Sequence, residues 1–201
     1  MDRVITPAER RAPRLDFRAL VELRRGLLDP EKYEPMVAAV VEALVAAFRG
    51  GGKVLWCGNG GSAADAQHLA AEFSGRFLRE RPGLPSESLS ANPSAVTAIS
   101  NDYGYDRVFA RQVEAFARPG DVVVGISTSG NSRNVVFALE EAKRLGVTTV
   151  AFTGNGGGAI ADIADIALIG PDGIAALVQE IHITLGHIVC DLVEQALYPD
   201  A

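Results

Sequence analysis

Asp121-Val122-Val123-Val124-Gly125-Ile126-Ser127-Thr128-Ser129-Gly130-Asn131-Ser132 runs from an unbroken apolar stretch into five hydroxyl or amide side chains packed around one glycine. A similar passage stands upstream, where Lys53-Val54-Leu55-Trp56-Cys57 is followed by Gly58-Asn59-Gly60-Gly61-Ser62. Apolar runs without polar alternation are what strands buried on both faces of a parallel sheet show. Each loop opens a helical pattern, so each offers hydroxyls and free N–H groups at a helix N-terminus, where partial positive charge collects and anions bind. Neither loop contains a lysine. The pair therefore points to a phosphorylated small molecule held by neutral donors, with the phosphate as a handle and not as the reacting group.

Outward from these loops, strand and helix alternate. Residues 15–28 and 31–49 read as helices split at Asp29-Pro30, because the residue before a proline is disfavoured in the helical region. The second carries Met36, Val37, Val40, Val41, Leu44, Val45 and Phe48 at helical spacing and stops at Gly50-Gly51-Gly52. Residues 62–73 are alanine-rich and helical, and 82–92 form a connection with one short strand near Ser88-Leu89. Helices are predicted over 93–101, 106–117, 134–145 and 174–197, strands over 147–152 and 166–169, and a flexible glycine loop over 154–158. The predicted fold class is α/β: a three-layer, flavodoxin-like arrangement without a nucleotide, with a parallel sheet flanked by helices and N-terminal helices in front. In such sheets ligands bind beyond the carboxyl ends of the strands, where both loops fall.

The chain has 201 residues, 48% of them hydrophobic, enough for one domain with a full core; we expect a single domain over 15–198 behind a flexible arm, 1–14, that contains Pro7 and Pro13. A net charge of −6 argues against a nucleic-acid partner. No apolar run approaches the ~18 residues of a membrane span. The opening 18 residues carry five arginines and no apolar core, unlike a signal peptide. Cys57 ends an apolar strand and Cys190 lies in an apolar helix stripe; neither has metal-ligand spacing, so both read as buried thiols of a reducing, cytoplasmic compartment.

Other readings of the loops exist. Ser127–Ser132 could be a plain strand-to-helix connection with Asn131 or Ser132 as N-cap. Gly58 to Ala63 fits G-x-G-x-x-G/A loosely, but the acidic residue that a dinucleotide site needs about 20 positions on is missing. There is no G-x-x-x-x-G-K-[ST] loop for nucleoside triphosphates.

Two helices carry the reactive side chains. His68 and Glu72 are four residues apart and share a face with Asp65 on an otherwise alanine-rich helix. The last helix carries Gln179, Glu180, His182 and His187 beside a predicted core stripe of Ile181, Leu185, Ile188, Val189, Leu192 and Val193. Each polar residue alone could be a solvated helix position. Together His68, Glu72, Gln179 and His187 suit a zinc ion with room for substrate oxygens. They equally suit metal-free acid–base work, Glu72 taking a proton and His187 giving one. Spacing does not choose between these until the helices are brought together.

At this point the chain resembles the sugar isomerase (SIS) domain family and, more narrowly, the phosphoheptose isomerases. The matching motifs are C-G-N-G-G-S at 57–62, D-A-Q-H-L-A-A-E at 65–72, S-N-D-Y-G-Y at 100–105, G-I-S-T-S-G-N-S at 125–132, and Q-E-I-H at 179–182 with His187. The resemblance implies interconversion of sedoheptulose 7-phosphate and D-glycero-D-manno-heptose 7-phosphate. It implies phosphate and substrate binding by Gly60, Ser62, Ser127, Thr128, Ser129 and Ser132, sugar contacts from Asn59, Asn101, Asp102 and Gln179, Glu72 as general base and His187 as general acid. It further implies a zinc site at His68, Glu72, Gln179 and His187, and a homotetramer with active sites at subunit interfaces. Family members often place a threonine or aspartate and then Arg-Ile before the Gln-Glu pair; here Ile174-Ala175-Ala176-Leu177-Val178 is apolar, so one polar sugar contact is absent or supplied from elsewhere. Other proteins of this fold are scaffolds for a replication initiator or sugar-phosphate sensors. Such proteins tend to lose the catalytic Glu or His, and Glu72 and His187 are both present here.

Overall fold

The structure is a computed structural model and describes residues 17–200; the arm at 1–14 lies outside them. Helices α1 (Phe17–Arg25) and α2 (Pro30–Arg49) come first. The split between them falls where predicted: Asp29 is the N-cap of α2, its Oδ1 accepts from the Glu31 N–H at 3.1 Å, and Pro30 follows at the first turn. Then come β1 (Val54–Gly58), α3 (Gly61–Ser74), β2 (Ser86–Ser88), α4 (Pro93–Tyr103), a 3₁₀ turn (Tyr105–Arg107), α5 (Val108–Phe116) and β3 (Val122–Ser127). The chain continues through α6 (Arg133–Arg144), β4 (Thr148–Thr153), α7 (Gly158–Ile163), β5 (Ile166–Ile169) and α8 (Ala175–Leu197).

All strand pairs are parallel, in the order β2-β1-β3-β4-β5. The order reverses between β1 and β3, and both glycine–serine loops leave the sheet at that switch point, from neighbouring positions: Gly58 pairs with Ile126. β1 and β3 are buried at every residue, as their apolar runs require. Alternate residues feed two cores. Val54, Trp56, Val122 and Val124 pack toward α2, α3 and α8, while Leu55, Cys57 and Val123 pack toward α5, α6 and α7.

Three sequence expectations change. The glycine loop at 154–158 runs directly into α7, a six-residue helix that periodicity does not show. Ile188 and Leu192 are not core: they are 42% and 37% exposed and, with Leu28, Tyr33, Val37 and Leu185, line an apolar groove of about 420 Å³ between α2 and α8. α8 is long and apolar enough by composition to cross a membrane, although the sequence reading finds no apolar run of that length; half of its most apolar stretch is buried in this fold, as in the core helix of a globular domain. The predicted burial of Cys57 and Cys190 holds, both thiols being free and enclosed.

His182 is fully enclosed, with its Nε2 2.9 Å from the Thr153 carbonyl oxygen and its Nδ1 unpartnered. Burial disfavours the charged ring and holds its pKa below the ordinary value, although the Thr153 carbonyl pulls the other way. The fold therefore keeps neutral imidazole. Stability is at its full value above the unfolded histidine pKa of about 6.5 and falls as pH drops below it, by at most about 1.4 kcal/mol per pH unit for one proton. Melting temperatures taken from pH 7.5 to 5.5 should decline more steeply for the wild type than for His182→Leu.

Candidate active site

Among the described residues, side chains cap helices in two places away from the loops: Asp29 at α2 and Asn92, whose Oδ1 accepts from the Ala95 N–H at 3.1 Å, at α4. The two helices that start at the glycine–serine loops differ. α3 begins at Gly60 (φ 57°) and α6 at Ser132, and neither has a side-chain cap. Ser132 Oγ instead accepts from Ser127 Oγ at 3.0 Å. Ser62 and Ala63 donate their N–H groups to the Asn59 and Gly60 carbonyls and Val135 donates to that of Ser132, so only the foremost N–H groups of the two helices remain for an external acceptor such as an anion. The loop holding them is rigid. Gly130 has φ 68°, and a Cβ there would overlap the Gly157 carbonyl. Gly130 carbonyl accepts from the Ile160 N–H at 3.0 Å, and Asn131 Oδ1 accepts from the Ala159 N–H at 3.1 Å.

Two asparagines that the sequence does not single out organise these loops. Asn134, buried in the first turn of α6, exchanges a reciprocal pair of amide hydrogen bonds with Asn59, both 2.8 Å. Tyr105 Oη donates to the same Asn59 Oδ1 at 3.0 Å. The Asn59 amide is thus engaged within the protein and ties the first loop to the second. Asn155 takes a left-handed conformation (φ 52°), donates to the Thr128 carbonyl at 3.1 Å and accepts from the Gly173 N–H at 2.9 Å. It joins the second loop to the entry of α8. The signal for Asn155 is its place in a glycine run, since asparagine is the usual non-glycine visitor to that conformation. Asn101 donates to Asp102 Oδ1 at 2.9 Å, both exposed at the end of α4.

The reactive helices pack closely. A Cβ at Gly186 of α8 would lie 2.8 Å from Leu69 of α3, and one at Gly61 would meet the Gln179 amide at 2.5 Å. This brings together His68, Glu72 and His187, whose ligand atoms all lie within 4.8 Å of one another. His68 Nε2 is 2.8 Å from His187 Nε2 and 3.3 Å from Glu72 Oε1. Phe77 stacks on His187, with centroids 5.5 Å apart and planes at 23°. Gln179 is placed at the start of α3, against Gly61, about 12 Å along α8 from His187. Asp65 stands one turn ahead of His68; burial pushes its carboxyl up to about 6 against the pull of His68, and its Oδ2 has no partner. Ile174, first of the apolar 174–178 stretch, is 67% exposed. α3 runs back across the sheet from the loops, so Glu72, ten residues past Ser62, is about 15 Å further along its axis. Within one chain the His68–Glu72–His187 cluster is set apart from the glycine–serine loops.

Comparison with known proteins agrees with the fold. The SIS domain family matches residues 24–154. The phosphoheptose isomerase of Roseiflexus sp. (strain RS-1) is 52% identical over 185 residues, 92% of this chain and 93% of that protein. The structure of phosphoheptose isomerase GmhA from Neisseria gonorrhoeae superposes with a TM-score of 0.77 at 42% identity, covering 87% of this chain and 91% of that one. A phosphoheptose isomerase from Francisella tularensis gives 0.78 at 37% identity, over 89% and 92%. The chain therefore belongs to the SIS domain family and, within it, to the phosphoheptose isomerases.

The Gly130 backbone leaves no room for a side chain. Gly130→Ala should weaken sugar-phosphate binding by an order of magnitude or more, read by isothermal titration calorimetry on protein whose circular dichroism matches the wild type.

Proposed function

We propose that the chain interconverts sedoheptulose 7-phosphate and D-glycero-D-manno-heptose 7-phosphate, with Glu72 as the base and His187 as the acid. The observation that carries this is the convergence of one carboxylate and two imidazoles from α3 and α8 within 4.8 Å. The isomerisation moves a carbonyl between C2 and C1. Glu72 takes the C1 proton of the ketose and returns it to C2 of the resulting enediol. His187 donates to, or accepts from, the oxygens as their charge changes. The two loops hold the phosphate through Ser62, Ser127, Thr128, Ser129 and Ser132 with the uncapped N–H groups of α3 and α6, and Gly60 lets the backbone approach. Asn59 positions the loops, while Asn101, Asp102 and Gln179 contact the sugar.

His68, Glu72 and His187 also fit a zinc ion: two imidazole nitrogens 2.8 Å apart with a carboxylate oxygen 3.3 Å from one of them are a donor set that zinc takes readily. A zinc ion there supplies a Lewis acid for the substrate oxygens. Gln179, against Gly61 and about 12 Å along α8 from His187, does not join these three within one chain.

The active assembly is a homotetramer with sites between subunits. Supporting this, the anion loops and the reacting cluster are about 15 Å apart along α3 in one chain, so a second copy brings one to the other. Apolar surface is available for the contact: the groove between α2 and α8, and α1, which buries none of its residues and exposes Phe17, Leu20 and Leu23. The free, enclosed thiols suit a cytoplasmic enzyme.

Glu72→Gln should lower turnover of sedoheptulose 7-phosphate by about 10²–10⁴-fold while substrate binding survives. Proton NMR in deuterated water, following the aldose signal and label at C2, reads this; near-normal turnover rules Glu72 out as base. Thorough chelation should remove activity and added zinc restore it, and activity untouched by chelation counts against the metal.

A further inference from the structure

The geometry points to a role for the buried Arg81–Glu194 ion pair: we propose that it positions the reacting groups, setting Glu72 through its main-chain carbonyl and His187 through the ring of Phe77. The role rests on Glu72 and His187 being the reacting pair. Both partners of the ion pair are wholly out of solvent, with Arg81 Nε 2.8 Å from Glu194 Oε1. Arg81 Nη2 donates to the Glu72 carbonyl at 2.8 Å, and Nη1 donates to the Phe73 and Gly75 carbonyls at 2.8 and 3.1 Å. The first two carbonyls belong to the last turn of α3, which no further turn satisfies. The guanidinium therefore pins the end of the helix that carries the base.

Glu194 does the complementary work on α8. It lies seven residues, two turns, beyond His187. Its oxygens accept from the Phe77, Leu78 and Arg79 N–H groups, all at 2.9 Å. This lays the segment after α3 across α8 and presses the Phe77 ring against the His187 imidazole. Burial alone would push the Glu194 carboxyl up; the three main-chain donors and Arg81 outweigh it and hold the carboxyl below its usual range. A buried ion pair is weak evidence of stabilisation, because desolvation offsets much of the attraction. What a fully hydrogen-bonded pair does supply is one fixed geometry. Here that geometry joins the base on one helix to the acid on the other.

The test compares Phe77→Leu, Phe77→Tyr, Glu194→Gln and Glu72→Gln in the full chain. It measures kcat and KM with sedoheptulose 7-phosphate, zinc affinity by chelator competition, and the folded fraction by thermal melting. Phe77→Leu should lower kcat about tenfold and weaken zinc binding while KM stays within about twofold. Phe77→Tyr, which keeps the ring, should return kcat to within about twofold of wild type. Glu194→Gln should show the same kcat-only loss in its folded fraction; if it does not fold, the two Phe77 variants decide. Wild-type kcat and zinc affinity in Phe77→Leu, or losses that only track the folded fraction, overturn the positioning role. Glu72→Gln separates the two ideas. Inactivity there beside a normal Phe77→Leu overturns positioning alone, whereas normal turnover in Glu72→Gln overturns the assignment of the reacting pair.

Discussion

The site depends on how closely α3 and α8 approach each other. Two glycines make the approach possible, Gly61 beneath the Gln179 amide and Gly186 beneath Leu69, and neither position leaves room for a Cβ without displacing its neighbour. At that separation imidazoles from residues 119 apart in sequence come within 2.8 Å. Wider helices would leave His68, Glu72 and His187 as three unrelated surface residues.

A second constraint comes from the direction of the chain. A parallel crossover must carry α3 from the carboxyl edge of the sheet back to the other edge, so its N-terminus and its carboxylate face different regions of the molecule. The glycine–serine loops stay at the switch point between β1 and β3, and the His68–Glu72–His187 cluster lies further along the helix. Distance within the chain and the apolar surface left uncovered at α1 and the α2–α8 groove are the two features that the proposed assembly of several copies would account for together.

Much of this was legible in the sequence because buried parallel strands have a plain signature. Val122 to Ile126 and Val54 to Cys57 announce themselves, and the loops that follow mark the switch point. Residues 158–163 were not legible: α7 is one and a half turns long and starts inside a glycine run, too short for a period to show. Ile188 and Leu192 misled because an apolar stripe looks the same whether this chain or another covers it. The His68, Glu72 and His187 cluster was foreseeable as a set of residue types but not as a contact, since helix spacing fixes faces and not which helices meet. Arg81 and Glu194 carried no signal; charged residues 113 positions apart ordinarily read as surface, and only the fold shows both enclosed. Asn59 was read toward the sugar; that its amide also pairs with Asn134 and accepts from Tyr105 is a contact between distant segments that a linear motif does not reveal.

The two cysteines have a use that follows from where they sit. Burial pushes the Cys57 thiol up to about 12, and burial together with the nearby carboxylates of Glu72 and Glu194 pushes Cys190 up as well. Thiolate, the form that alkylating reagents attack, is scarce at both positions, and neither sulfur is within reach of solvent. Labelling by a maleimide dye therefore waits on opening of the polypeptide. The two sulfurs lie in opposite halves of the core, Cys57 on the α5–α6 side and Cys190, on α8, on the α2–α3 side, so the order in which they become labelled records which side of the sheet gives way first.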